Sequence, residues 1–530
     1  MQAVRGARAG IMMMLMTFGL SCQAAGSEST TVRVDGGLIR GEQADSMNVF
    51  RGIPYAAPPT GANRWQPPQP VPGWAGVRDA TRFGPNCLQK PVSGDEAPLR
   101  GGYAEDCLYL NVWQPRDGRS DHPVMVWIHG GGYVNGGSAS PIYDGSAFAR
   151  DGVVLVSLNY RLGRFGFFAH PALAADGDAP GGNYALMDQL AALEWVQRNI
   201  AQFGGDPANV TIVGESAGGD AVLNLAASPA AEGLFQRAAV MSGGGRELFG
   251  PRPRLTEATD EMPGATRVGE RFARAHGIQG DDREAAARLR QLSGDEVVGD
   301  LNMLTLNGTA RRTYVGGPIV DGDIVRATPE ERYGAGEQLQ VPMLIGTTDA
   351  DLGFFPAESK AALFERFGDL AEQARQYYDP TGDTDLETLI SEIGRDWTMT
   401  EPARFIANRT TAGGQPTWRY RFAHVAEPKR EQWPGAPHAT ELPYLFETLP
   451  ARFDARALSD SDRATAAAMH DYFVNFARDG NPNGPGLPEW PRHDAEREAL
   501  MIFARQGAQA RPEPWRDRLD MLQALRQRDE

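Results

Sequence analysis

With 530 residues the chain can bury a large core, as roughly two to four domains or as one large α/β domain. Hydrophobic residues at 41% and charged residues at 23% fit a soluble globular protein. A formal charge of −16 argues against nucleic acid and anionic membrane surfaces as partners.

Residues 1–25 read as a secretory signal peptide. Arg5 and Arg8 precede an apolar run from Ile11 to Leu20, and small residues from Ser21 to Gly26 follow. The run is too short to span a bilayer, and no other stretch is apolar enough to do so. Cleavage is expected near Ala24 or Ala25. Lipid attachment at Cys22 is the lesser alternative, because Gly19 rather than Leu stands three residues before it. The protein is therefore expected to be exported, to a periplasm or beyond the cell. Without the leader two cysteines remain, Cys87 and Cys107. Such a pair in an exported protein reads as a disulfide, with two buried free thiols as the alternative. Closing a loop of about 20 residues would contribute roughly 3 kcal/mol. No Cys/His spacing suggests a metal site.

Short apolar runs predict buried strands at Val124 to Ile128, Val153 to Leu158, Val210 to Val213, Ala238 to Met241, Met343 to Ile345 and Thr417 to Phe422. Helical patterns fall between them. Leu186, Leu190, Leu193, Val196 and Ile200 share one helix face, and Asn183 is placed to cap that helix. Ala464 to Ala477 reads as another helix, stopped by Asp479-Gly480-Asn481-Pro482. Alternating strands and helices predict a mostly parallel sheet with helices on both faces. The charged, helix-prone stretch from 247 to 340 reads as an insertion over the end of that sheet.

Chemistry enters at residues 210–218, Val-Thr-Ile-Val-Gly-Glu-Ser-Ala-Gly. A β-branched run ends in the chain's one Gly-x-Ser-x-Gly, and a helix-compatible stretch from Asp220 to Ala226 follows. That order builds a nucleophile elbow, a tight strand-to-helix turn that presents the Ser216 hydroxyl. The following helix points its N-terminus at the site and favours developing negative charge there. Donors for such a charge are expected from His129-Gly130-Gly131-Gly132, just past a predicted strand. Gly131, Gly132 and Ala217 are the expected oxyanion donors. The base is sought among eight histidines. His438, in a loop downstream of Thr417 to Phe422, is preferred over His129, which lies in the glycine loop. In the chain order Ser, acid, His, both Asp349 and Asp351 fit the acid's place after Met343 to Ile345.

Longer blocks carry a family resemblance. They are Phe203-Gly204-Gly205 with Val210 to Gly218, Glu105-Asp106-Cys107-Leu108-Tyr109-Leu110-Asn111-Val112-Trp113-Gln114-Pro115, Phe50-Arg51-Gly52-Ile53-Pro54-Tyr55-Ala56, and Asn159-Tyr160-Arg161. The chain resembles the type-B carboxylesterases, the family that includes the cholinesterases, over residues 30–505. The resemblance implies an α/β-hydrolase fold, a mostly parallel sheet flanked by helices with helical insertions over the active-site end, formed by residues 26–530 as a single domain. It implies Ser216 as nucleophile, His438 as base, Gly131, Gly132 and Ala217 as oxyanion donors, and a Cys87–Cys107 disulfide. It also implies structural ion pairs, Arg64 with Glu105 and Arg161 with Asp188. The family usually carries Asp-Glu-Gly at the acid. Counted from Gly346, Asp351 stands where that Glu would, which selects Asp351 over Asp349. Cholinesterases also place a tryptophan inside the first disulfide loop to stack on a quaternary ammonium. The interval 88–106 has none, which argues against choline esters.

The expectation is an exported serine carboxylesterase acting on small-molecule esters through a Ser-His-Asp triad and an acyl-enzyme, with no cofactor and no metal. An amidase, lactonase or acyltransferase with the same triad is the alternative within enzymes. A non-catalytic cholinesterase-like binding protein is the alternative outside them. Tyr133, Phe165, Phe167, Phe354 and Phe355 are candidates for an apolar pocket. An ordinary histidine base would lose activity on acidification through roughly pH 6 to 7.

Overall fold

The apolar runs pair into one 13-stranded sheet in a computed structural model that describes residues 29–44, 46–92, 97–174, 181–246, 251–258, 262–306 and 308–529. The expected leader, its cleavage site and Cys22 lie outside the described residues. Across the sheet the strands run Ser29–Val34, Gly37–Gln43, Met47–Pro54, Tyr109–Pro115, Val154–Leu158, His122–Ile128, Gly205–Glu215, Arg237–Met241, Met343–Thr348, Thr417–Phe422, Ala499–Ala504 and Gly507–Pro512. Val77–Asp79 pairs beside Gly37–Gln43. From Val154–Leu158 through to Ala499–Ala504 every neighbouring pair is parallel. Apart from Val77–Asp79, which pairs parallel, the flanking strands pair antiparallel, at one side through Tyr109–Pro115 and at the other through Gly507–Pro512.

All six expected strands are present, most of them longer than the apolar run alone. Their apolar character follows from burial on both faces: every residue of His122–Ile128, Val154–Leu158 and Thr417–Phe422 is buried, the last including Arg419 and Arg421, which pair with the buried Glu513. Alternate residues of one strand enter two separate cores. Val124, Val126 and Ile128 pack in a cluster with Leu186, Leu193 and Val196 of the helix Tyr184–Asn199 and Val222 of the helix Ala217–Ala227. Met125 and Trp127 join the opposite cluster with Met469, Phe473 and Phe476 of the helix Asp460–Asp479. Helices thus cover both faces, as expected.

Two helix starts differ from expectation. Asn183 makes no cap to the helix Tyr184–Asn199. Its side chain instead spans to the cover segment, donating to Ile319 O and Asp321 Oδ2 (both 2.7 Å) and accepting from Ile319 N (2.9 Å). A long-range pairing has outcompeted the local one. The later helix starts at Asp460, not Ala464, because Ser459 and Asp462 form a capping box. Gly480, in the left-handed conformation, ends it where expected.

The described part of the stretch from 247 to 340 carries the helices Ala265–Ala275, Arg283–Gln291, Gly294–Val298 and Pro329–Ala335, joined by irregular segments. It does reach over the sheet's carboxyl edge. Leu306 and Met303 stand 3.4 and 3.6 Å from where a Cβ on Gly132 would lie. Among the described residues no helix is long and apolar enough to cross a membrane.

Cys87 and Cys107 form a disulfide. Both expected ion pairs are made. Arg64 donates to Glu105, one of its bonds being Nε to Oε2 at 2.9 Å. Arg161 grips Asp188 through Nε (2.8 Å), Nη2 (2.7 Å) and its backbone N (3.0 Å), and reaches Gln66 O with Nη1 (2.8 Å). Both members of this second pair are buried. Removing one charge strands the other, which typically costs about 3–5 kcal/mol. Asp188→Asn should therefore lower unfolding stability by about that amount in guanidinium titrations. A loss below about 1 kcal/mol, the size of an exposed pair, would show that the pair is not the buried tie described.

Candidate active site

Five strand ends deliver the site, all at the carboxyl edge of the parallel sheet, where open α/β sheets hold their ligands. Gly205–Glu215 leads straight into Ser216 and the helix Ala217–Ala227. Ser216 has φ 58° and ψ −125°, a left-handed backbone that a non-glycine residue adopts only when its surroundings force it. The forcing is visible at the two motif glycines. A Cβ on Gly214 would lie 2.3 Å from Gly218 O, and one on Gly218 would lie 2.1 Å from Ile128 O. Ser216 N still donates to Met241 O (2.9 Å), so the turn stays tied to the neighbouring strand.

His122–Ile128 feeds the glycine loop. It runs against the elbow so closely that a Cβ on Gly130 would lie 3.0 Å from that of Ser216. His129 is buried, stacked on Tyr160 at 4.4 Å between ring centroids, and its Nδ1 lies 2.8 Å from Gly130 O. A carbonyl can only accept, so Nδ1 carries the proton. Burial drives this imidazole down to about 4, leaving it neutral, and its bond with Gly130 O gives it a structural task within the loop.

The acid and base loops meet side by side. His438 Nδ1 lies 2.6 Å from Asp351 Oδ1. Asp351 Oδ2 accepts from Ser242 Oγ (2.6 Å) and Thr348 N (3.0 Å). Burial opposes ionisation of Asp351, but His438, Ser242 and the Thr348 amide together hold its carboxyl below the ordinary value. Asp349 points elsewhere. Its Oδ1 accepts from Ala436 N (2.6 Å) in the base loop, and its carbonyl accepts from Arg395 Nη1 (2.7 Å). An isolated bridge pairs Ala350 with Pro437 between these two contacts.

Three neighbours of these side chains were not foreseen. Glu215, the variable residue of the Gly-x-Ser-x-Gly turn, puts Oε1 3.1 Å from His438 Nε2. Glu441 is fully buried three residues after His438, and burial, Glu215 and Asp351 hold its carboxyl well above the ordinary value. Ser242 follows the strand Arg237–Met241 and buttresses Asp351. Position in the motif and at a strand end were the available signals for Glu215 and Ser242. Burial disfavours the imidazolium of His438, but the carboxylates of Glu215 and Asp351 outweigh it and push its pKa up to about 9.

The five aromatic residues expected to line a pocket fall in different apolar clusters, apart from Phe354. Tyr133 and Phe167 pack edge to face in the main core, with the Tyr133 hydroxyl bonded to Asp220 (2.7 Å). Phe165 belongs to a separate cluster with Trp65 and Phe168, and Phe355 to another with Phe364 and Phe367. Phe354 is exposed. Among the described residues no cluster of His, Cys, Asp and Glu could hold a metal ion.

The sequence and the fold both have close counterparts. The model of the carboxylesterase family matches residues 28–521. A fumonisin B1 esterase of Sphingopyxis macrogoltabida is 35% identical over 491 residues, 89% of this chain and 85% of that protein. A para-nitrobenzyl esterase of Bacillus subtilis is 34% identical, over 88% of this chain and 93% of its own. Among solved structures, a carboxylesterase of Geobacillus stearothermophilus superposes with a TM-score of 0.77 at 34% identity, covering 93% of this chain and 99% of that one. The chain belongs to the carboxylesterase family, a carboxylic ester hydrolase on the α/β-hydrolase fold.

Proposed function

We propose that this ester hydrolase is an exported serine esterase whose residues 26–530 form one catalytic domain and whose substrates are small-molecule esters. Ser216 is the nucleophile, His438 the base and Asp351 the acid that orients it. The N–H groups of Gly131, Gly132 and Ala217 receive the oxyanion. Ser216 Oγ attacks the ester carbonyl while its proton passes to His438 Nε2. The C–O bond then breaks, the proton leaves with the alcohol, and an acyl-enzyme remains. Water, deprotonated by the same nitrogen, releases the acid. The observation that carries this reading is the strained Ser216 elbow beneath a side-chain-free glycine loop. The 2.6 Å contact between Asp351 and His438 Nδ1 supports the order acid–base, because it assigns Nδ1 to the acid and so turns the other nitrogen, Nε2, which Glu215 also approaches at 3.1 Å, to the proton transfer. The Cys87–Cys107 disulfide supports export.

Ser216→Ala should fold normally and lose turnover of an aryl ester by about a millionfold, the scale of nucleophile loss in a comparable triad. Activity within tenfold of wild type would remove Ser216 from its role.

The acid assignment separates two neighbouring aspartates. Asp351→Asn should cost on the order of 10⁴ in turnover, because the imidazole loses the partner that fixes its tautomer. Asp349→Asn should cost little, since the amide oxygen still accepts from Ala436 N, whereas Asp349→Ala breaks that tie and should cost more. If Asp349→Asn is the dead enzyme, the acid is misassigned.

The pH profile follows from the carboxylates around His438. The base must be neutral, so activity is present above its pKa and lost as pH falls through it. With that pKa raised to about 9, the acidic limb of kcat/KM lies well above the pH 6 to 7 of an unperturbed histidine. Glu215→Gln removes one charge and should move the limb down by about one to three pH units. A limb that stays fixed in this variant would show that Glu215 does not act on the base.

A further inference from the structure

The glycine loop is gripped from behind by the disulfide segment. Gln89 lies two residues past Cys87, and its amide brackets one backbone unit of the loop. Gly136 N donates to Gln89 Oε1 (2.9 Å), and Gln89 Nε2 donates to Gly136 O (2.6 Å). The same Nε2 donates to Cys87 O (3.0 Å), so the amide is itself held by the bridged residue. Asn135 completes the clip. Its Nδ2 donates to Gln89 Oε1 (3.2 Å) and Lys90 O (2.8 Å), and its Oδ1 accepts from Met303 N (3.0 Å) in the cover segment.

The clip reaches the oxyanion donors through the backbone. Val134 N (3.1 Å) and Asn135 N (2.9 Å) both donate to Gly131 O. A trans peptide is planar, with C=O and N–H pointing in opposite directions. Fixing Gly131 O toward residues 134 and 135 therefore fixes the Gly132 N–H toward the other side of the loop. The fit has no slack: a Cβ on Gly131 would lie 2.3 Å from Asn135 O, and one on Gly136 would lie 2.4 Å from Gly130 O. Any loosening of residues 135 and 136 must be felt at Gly131 and Gly132.

We propose that Gln89 and Asn135 are positioning residues for the oxyanion donors, and that the Cys87–Cys107 bridge acts on catalysis through them. This rests on the reading that Gly131 and Gly132 receive the oxyanion. The bridge is then more than a stabilising link, since it fixes the segment from which Gln89 aims the donors. A donor displaced by a fraction of an ångström stabilises the transition state less while leaving ground-state binding of the ester nearly unchanged.

The test compares wild type, Gln89→Met, the double variant Cys87→Ala/Cys107→Ala and the triple variant combining them. Each is assayed for kcat and KM on a para-nitrophenyl ester and for inhibition by an aryl trifluoromethyl ketone. A serine oxygen adds to that ketone to give a tetrahedral oxyanion. Gln89→Met should lower kcat about tenfold to a hundredfold and weaken the ketone in parallel, with KM changed no more than about twofold. The cysteine variant should show the same split. The triple variant should lose far less than the product of the two losses, because both act through one contact. If Gln89→Met does not fold, Gln89→Glu, which keeps an oxygen for Gly136 N, serves in its place with a smaller loss of kcat. A kcat within twofold of wild type, or a triple variant that loses the full product, overturns the proposal. Failure of the ketone to inhibit the wild type would instead overturn the oxyanion reading on which the proposal rests.

Discussion

Everything at the site hangs on the closeness of one turn. The strand Gly205–Glu215 and the helix Ala217–Ala227 pass so near each other, and so near Ile128, that residues 214 and 218 have no room for side chains. Closure at that distance forces Ser216 into a left-handed backbone, a conformation that costs on the order of 1–3 kcal/mol. The surrounding burial maintains it: every residue of the helix Ala217–Ala227 is buried. Strain at Ser216 and the absence of Cβ atoms beside it are one geometric fact. The turn brings the serine under the glycine loop, and the tie from Ser216 N to Met241 O sets Ser242 next to the acid loop.

Around that turn the electrostatics pull in two directions. Asp351 and Glu215 approach the two nitrogens of His438 at 2.6 and 3.1 Å. The first contact orients the ring and favours the imidazolium formed during proton transfer. The second favours the same imidazolium before any substrate arrives, which in the proposed mechanism moves the onset of activity to higher pH. A further buried carboxylate, Glu441, stays biased toward its neutral form, because a third negative charge in this volume is unfavourable. Strong stabilisation of the protonated base is useful in the transition state and costly in the resting enzyme. The balance between the two is set mainly by Glu215.

What the sequence revealed was local, and what it hid was assembled from afar. Ser216 and the glycine loop were legible because strand, turn and helix signals are contiguous in residues 122–132 and 205–227. Most of the parallel strands were legible because burial on both faces leaves an apolar run; Ala499–Ala504, also parallel and apolar, was missed, and Thr417–Phe422 was found although Arg419 and Arg421 interrupt it. The edge strands Ser29–Val34 and Gly507–Pro512 were not, since their partly exposed residues carry no such run. Asp349 and Asp351 could be ranked only by resemblance. Their different tasks follow from the Ala350–Pro437 bridge, a contact across 87 residues. The roles of Glu215, Ser242 and Glu441 exist only once separate loops converge. Asn183 was misread as a cap because its partners at 319 and 321 lie more than a hundred residues away. Aromatic side chains near the motifs suggested a pocket, yet the fold spends them in different cores.

The most direct measurement is peptide mapping by mass spectrometry after titration with a fluorophosphonate, following ester turnover in the same samples. The elbow account predicts one adduct per chain, on Ser216, accumulating in step with the loss of activity. Activity lost with Ser216 unmodified, or Ser216 fully modified with activity intact, would contradict it.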